Sequence, residues 1–179
     1  MSKGSNGVIS VRWVITEKQL DDGGTKVKAR LVARGFEDPD LGNFAKASPT
    51  CGRGSWRMIC IIACMKSWCP GTIDITTALL HGEPLDREVY LFPPPEAQTD
   101  PNTLWKLKKA VYGLGDAGLK WYKRVVAVLQ SLGGRKSEMD TAVFVFHSKE
   151  GELEGLVSVH VDDFFYCGGE SLERVLQGI

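Results

Sequence analysis

The chain has 179 residues, 43% of them hydrophobic and 25% charged, which is enough for one domain with a proper core and far from the composition of a disordered segment. Lysines and arginines balance aspartates and glutamates at a formal net charge of zero, which argues against a generic polyanion binder. No apolar run approaches the roughly 20 residues of a membrane span, and M-S-K-G-S-N-G at the start has no apolar signal region, so a cytoplasmic or nuclear setting is expected, not a secreted one.

In chain order, residues 1–10 are expected to be a flexible tail and 11–179 a single domain. Residues 8–19 alternate imperfectly, with Val11, Trp13 and Ile15 on one side, and predict a strand. Asp21-Asp22-Gly23-Gly24 is a turn signal, and residues 26–33 predict the returning, basic arm of a β-hairpin. Residues 37–54, rich in Pro, Gly, Asp and Asn, read as an ordered loop. Residues 55–66 carry Met58, Ile61, Ile62 and Met65 at helical spacing, with Ser55 as a candidate N-cap. Pro70-Gly71 breaks the chain, residues 72–75 predict a short strand carrying Asp74, and residues 76–80 the start of a helical turn. Residues 88–92 and 103–110 read as short strands, the second also readable as a basic linker. Residues 114–132 give the clearest helix, with Leu119, Tyr122, Val125, Val126, Leu129 and Leu132 on one face and Gly133-Gly134 ending it. Residues 142–147 and 156–161 predict strands, 164–167 the returning arm of a hairpin, and 171–176 a last helix. The pattern is α+β with an antiparallel sheet and packed helices.

The zero net charge hides a segregation. Residues 104–136 hold eight basic residues against Asp116 alone, whereas residues 137–179 hold nine acids against Lys149 and Arg174. Two readings follow: solvated faces that happen to cluster, or a polyanion channel beside an acidic metal site. The five cysteines form no Cys-x-x-Cys pair and have no histidine at ligand spacing, so reduced core thiols are expected and no zinc site.

The chemistry points to V-S-V-H-V-D-D-F-F-Y-C-G-G, residues 157–169. Asp162 and Asp163 interrupt an apolar run, and a buried carboxylate must be paired or bound to a metal. Two strands delivering Asp74 and this pair to a common point could hold two Mg²⁺ ions about 4 Å apart for phosphoryl or nucleotidyl transfer.

Several stretches together resemble the reverse transcriptase of copia-type LTR retrotransposons. They are W-V-I-T-E-K-Q (13–19), K-A-R-L-V-A-R-G-F (28–36), D-I-T-T-A-L-L-H-G-E (74–83), E-V-Y-L-F-P-P-P (88–95) and L-W-K-L-K-K-A-V-Y-G-L (104–114), followed by Trp121-Tyr122 and Val161-Asp162-Asp163. The resemblance implies a right-hand polymerase fold of fingers (about 11–36) and palm (about 55–179) lacking the thumb. It implies RNA-directed DNA synthesis with two Mg²⁺ ions, Mn²⁺ being a substitute, on an RNA or DNA template with primer and dNTPs.

Thumb, RNase H and integrase regions belong to the full polyprotein of that family, which works in a cytoplasmic virus-like particle. Asp74, Asp162 and Asp163 correspond to its catalytic aspartates, with Asp74, Asp162 and the Ile75 carbonyl as metal ligands and Asp163 in support. Lys28, Arg30, Leu79, Tyr112, Gly113 and Asp116 fall at its nucleotide pocket. Lys106, Lys108, Lys109, Lys120, Lys123 and Arg124 fall along the nucleic acid.

Four positions depart from the family pattern: Leu79 replaces the aromatic that excludes a ribose 2′-hydroxyl, Asp116 replaces a glutamine, Gly118 replaces a proline, and His160 replaces an aromatic. The alternatives are a catalytically impaired retrotransposon remnant acting as a nucleic-acid-binding or structural domain, and an unrelated metal-dependent nuclease or phosphotransferase.

Overall fold

The structure, a computed structural model, describes residues 7–20 and 22–176. It opens with β1 (Val8–Ile9), β2 (Val11–Gln19) and β3 (Thr25–Ala33), followed by α1 (Arg53–Lys66), β4 (Pro70–Asp74), β5 (Tyr90–Leu91) and β6 (Trp105–Lys106). The second half is α2 (Ala117–Ser131), β7 (Arg135–Lys136), β8 (Val143–His147), β9 (Leu153–His160), β10 (Asp163–Gly168) and α3 (Glu170–Leu176). Sheets with three helices make the expected mixed class.

The main sheet has five antiparallel strands in the order β4-β10-β9-β8-β7. Strand alternation sends Phe144, Val157, Val159 and Phe164 to one face, where they meet Trp121, Val125 and Leu129 of α2 and Leu172 of α3. The opposite face sends Val143, Leu156 and Cys167 against Ile59 and Ala63 of α1. The five cysteines are free thiols, but the expected core placement holds for Cys167 alone, Cys64 and Cys69 being exposed; burial, with Cys60 nearby, pushes the Cys167 thiol up to about 11.

β2 and β3 form a separate two-stranded hairpin in register from Val11↔Ala33 to Gln19↔Thr25. Asp21 lies outside the described residues, but Gly24 N–H donates to Asp22 Oδ1 at 2.9 Å and Gly23 has φ +81°, a turn built as its composition requires. The hairpin base is held by backbone. Ala33 N–H donates to the Tyr112 carbonyl at 2.8 Å, and Gly113, at φ +91°, packs so closely that a Cβ there would stand 2.1 Å from the Ala33 oxygen.

Three expectations change. The tail over residues 1–10 does not extend to its end, because β1 pairs in parallel with β5 and Ile9 is fully buried. Helix α1 begins at Arg53, with Gly52 as N-cap and its N–H donating to Asp140 Oδ2 at 2.9 Å, so Ser55 is not the cap. The face of α1 expected inside is largely outside: Met58, Ile61 and Met65 are 56%, 53% and 80% exposed. Residues 58–65 are nearly all apolar, so periodicity alone selects no face, and the sheet reaches only the Ile59–Ile62–Ala63 side.

Two outcomes follow. Gly113→Ala forces a side chain onto a positive φ and into the Ala33 carbonyl, and lowers unfolding stability by about 2 kcal/mol or more in urea titration. Partial burial opposes the charge of Asp140, but hydrogen bonds from Ser55 and from the Gly52 and Ala142 N–H groups outweigh it and hold its pKa below the ordinary aspartate value. Its contribution is therefore full above about pH 4 and is lost as pH falls through the lower folded-state value. Asp140→Asn costs about 1 kcal/mol at neutral pH, and its difference from wild type vanishes in urea titrations at strongly acidic pH.

Candidate active site

β10 lies between β9 and β4, and its register sets Asp163 opposite Asp74 on one side and opposite His160 on the other. Val161 and Asp162 form the two-residue turn of the β9–β10 hairpin, with Val161 at φ +58°. Beyond the turn, Ile75 N–H donates to the Asp162 carbonyl at 3.3 Å. One end of the sheet therefore gathers three aspartates from segments far apart in the chain. All three are exposed, so the expected buried charge is absent. Phe164, Val159 and Val157 anchor the hairpin in the core, and the turn carries the carboxylates past its edge into water.

The three do not share one cavity. Asp74, Ile75 and Asp162 line a cleft of about 490 Å³ whose opposite wall includes Lys28 and Arg30 of β3 and Tyr112. Asp163 lines a different hollow, of about 570 Å³, with Arg53, Trp56 and His160. Its cross-strand position opposite Asp74 puts two like charges side by side, an arrangement that attracts a cation. Among the described residues Lys28, Arg30, Asp74 and Asp162 make no ion pair, and no three His, Cys, Asp or Glu side chains are gathered closely enough to hold a metal by themselves.

Three residues expected at the nucleotide pocket are not among those lining this cleft. Leu79 packs against two core clusters, whereas its neighbour Leu80 lines the cleft. Gly113 makes its close approach to Ala33, as described above. Asp116 turns away from the cleft: it is buried, with Oδ2 3.4 Å from Arg87 Nε. Arg87 also donates to both oxygens of Asp38, at 3.1 and 2.7 Å, lies 3.7 Å from Asp40 and stacks 4.3 Å over the Phe44 ring. Burial alone would lower the Arg87 pKa, but the Asp38 and Asp116 carboxylates outweigh it and raise it above its ordinary value. Asp116 therefore adds no repulsion to the cleft.

The basic strip is partly neutralised. Lys120 is 7% exposed, with Nζ 3.1 Å from Asp86, and its hydrogen bond draws the Asp86 pKa below the ordinary value. Lys106 pairs with Glu88, and Arg124 lies 3.9 Å from Glu83. Lys108, Lys109 and Lys123 make no ion pair among the described residues. A charge count over residues 104–136 leaves out the acids at 83–88 that the fold brings against them. Sequence reasoning also missed Leu80, Trp105 and Leu107 as cleft walls; strand alternation from Trp105 is the one signal that bears on them.

A family profile described as Reverse transcriptase (RNA-dependent DNA polymerase) matches residues 3–177. The Retrovirus-related Pol polyproteins from transposons RE1 and RE2 of Arabidopsis thaliana are 34% identical over 167 residues and 32% identical over 169. These matches cover 91% and 92% of this chain but 11% of each relative. The Retrovirus-related Pol polyprotein from transposon TNT 1-94 of Nicotiana tabacum is 31% identical over 166 residues, covering 89% of this chain and 12% of the relative. The chain thus spans only a small part of the curated relatives it matches. No solved structure matches.

Arg87→Ala leaves Asp38 and Asp116 as buried charges without their partner, and lowers stability by about 3–5 kcal/mol in urea unfolding. Adding Asp116→Asn to that variant recovers part of the loss.

Proposed function

Because this chain belongs to the reverse transcriptase (RNA-dependent DNA polymerase) family, we propose that the cleft between β3 and the ends of β4 and β10 is the nucleotidyl-transfer site of an RNA-directed DNA polymerase core. The observation that carries this reading is that two cations, Lys28 and Arg30, and two carboxylates, Asp74 and Asp162, none of them in an ion pair among the described residues, line one cavity. In this reading β2–β3 serves as the fingers and the five-stranded sheet with α1 and α2 as the palm.

The donor set fits a hard divalent cation. Mg²⁺ binds through one or two carboxylates together with substrate phosphates and keeps several waters, so it needs no closed protein cage. Asp74, Asp162 and the Ile75 carbonyl would hold it, with Mn²⁺ able to substitute. When bound, two such ions favour the deprotonated primer hydroxyl and offset charge on the leaving oxygen.

The chain's own residues do the positioning. Lys28 and Arg30 draw the triphosphate of a dNTP across the cleft toward the carboxylates. Tyr112, Leu80 and Trp105 give it apolar walls, which exclude water from the reacting groups. The primer 3′-oxygen forms a bond to the α-phosphorus, the bond to the pyrophosphate oxygen breaks, and the hydroxyl proton leaves to solvent. Lys108, Lys109 and Lys123 supply phosphate contacts to the template and primer.

Primer extension on an RNA template with Mg²⁺ or Mn²⁺ tests the reading. Asp74→Asn and Asp162→Asn each reduce extension by about a thousandfold or more, since each removes charge from the reacting centre. Extension that survives Asp162→Asn overturns it. A chain that extends nothing yet binds duplex in a salt-sensitive way is instead a binding remnant.

A further inference from the structure

Val161 occupies a position that its side chain disfavours. A two-residue hairpin turn calls for positive φ, which Asn or Gly adopts readily. A β-branched residue in the left-handed region is an outlier, held only where its surroundings over-determine it. Here φ is +58° at the residue immediately before Asp162.

The surroundings supply a restraint from a different element. Trp121 of α2 is 6% exposed, and its indole N–H donates to the Val161 carbonyl at 2.7 Å. The indole is itself fixed. It packs edge-on to Phe164, centroids 6.5 Å apart at 79°, inside the cluster that also contains Ala78 and Val125. The other carbonyl of the turn, that of Asp162, accepts from Ile75 N–H at 3.3 Å. Both peptide units around Asp162 are therefore tied to other segments, one to buried Trp121 and the other to half-buried Ile75, while the side chain between them is exposed at the cleft.

We propose that Trp121 is a positioning residue for catalysis, its indole N–H holding the Val161 carbonyl so that the strained turn keeps Asp162 aimed into the cleft. The inference rests on the polymerase reading above for its effect on rate, though not for its effect on the turn. A buried indole needs a partner for its N–H, and this one is placed on the turn that carries a reacting carboxylate. Without the donor, Val161 relaxes toward φ < 0, the peptide joining it to Asp162 rotates, and the carboxylate swings off its position. Displacements of about 1 Å at such a site are enough to cost about a hundredfold in rate.

Trp121→Phe removes the donor and keeps the aromatic packing on Phe164. The expected result in primer extension is a kcat about ten- to a hundredfold lower with KM for the dNTP little changed, and a thermal midpoint a few degrees lower in a chain that stays folded at the assay temperature. Val161→Gly added to Trp121→Phe should restore kcat to within about threefold of wild type, because glycine holds a positive φ unaided. A purely structural tryptophan gives neither the selective fall in kcat nor the rescue, and either failure overturns the proposal.

A second readout does not need activity. In ¹⁵N-resolved NMR the Trp121 indole N–H of the wild-type chain is protected from exchange. The Asp162 and Asp163 amide resonances shift in Trp121→Phe and return in the double variant. If the wild-type chain extends no primer, the polymerase reading fails by itself and these shifts decide the turn. An unprotected indole, or Asp162 resonances that do not move, overturns the link.

Discussion

Two carboxylates stand opposite each other across the β4–β10 ladder, Asp74 facing Asp163, and the rest of the structure has to hold them there. Like charges at directly opposed positions cost roughly 0.2–1 kcal/mol. The same ladder sends Phe164 into the core beside Val157, Val159 and Trp121, with Ile73 half-buried against them, and a fully buried side chain such as Phe164 contributes about 1.5–3 kcal/mol. Burial wins by several-fold, so β10 remains the central pairing partner of both β4 and β9 although its end is electrostatically unfavourable. Past that ladder Asp74 lines the cleft it shares with Asp162, and Asp163 lines the neighbouring hollow.

A second set of charges settles where the hairpin sits. Arg87 gathers Asp38 from the segment after β3 and Asp116 from the start of α2, while Gly35 and Gly113 bring the two backbones together beside them. A buried ion cluster adds little net stability over an apolar substitute, but a missing member leaves an uncompensated charge, so its geometry is sharply defined. That definition matters because β3 forms one wall of the cleft and the sheet forms the other. The separation of Lys28 and Arg30 from Asp74 and Asp162 thus depends on contacts outside the cleft. The same preference for internal pairing draws Lys120 and Lys106 to Asp86 and Glu88, which leaves fewer free cations for a polyanion than the local sequence suggests.

Much of this was legible in the amino-acid sequence. Period-two alternation, Gly and Pro turns and the helical stripe of α2 locate the longer strands and the main helix to within a few residues, because these are properties of neighbouring residues. They do not predict the two-residue β7, and they read β1 as continuous with β2. Asp162 and Asp163 stand out because they interrupt an apolar run, although the burial that pattern suggested is absent and the turn carries them into water. The family resemblance rests on ordered short motifs of the same local kind.

What only the tertiary structure decided concerns which side chains face which space. Residues 58–65 are apolar all round, so the sheet and not the helix chose Ile59 and Ala63 as the inner face of α1. Leu79 and Leu80 are chemically identical, and core packing assigned the first inward and the second to the cleft. Asp162 and Asp163 are likewise identical, and the hairpin turn sent them to different cavities. Asp116 found Arg87, a partner that no spacing announces. Local patterns specify backbone conformation through period and steric preference. Burial and ion pairing are set by segments distant in the chain, whose meeting becomes visible only once the chain has folded.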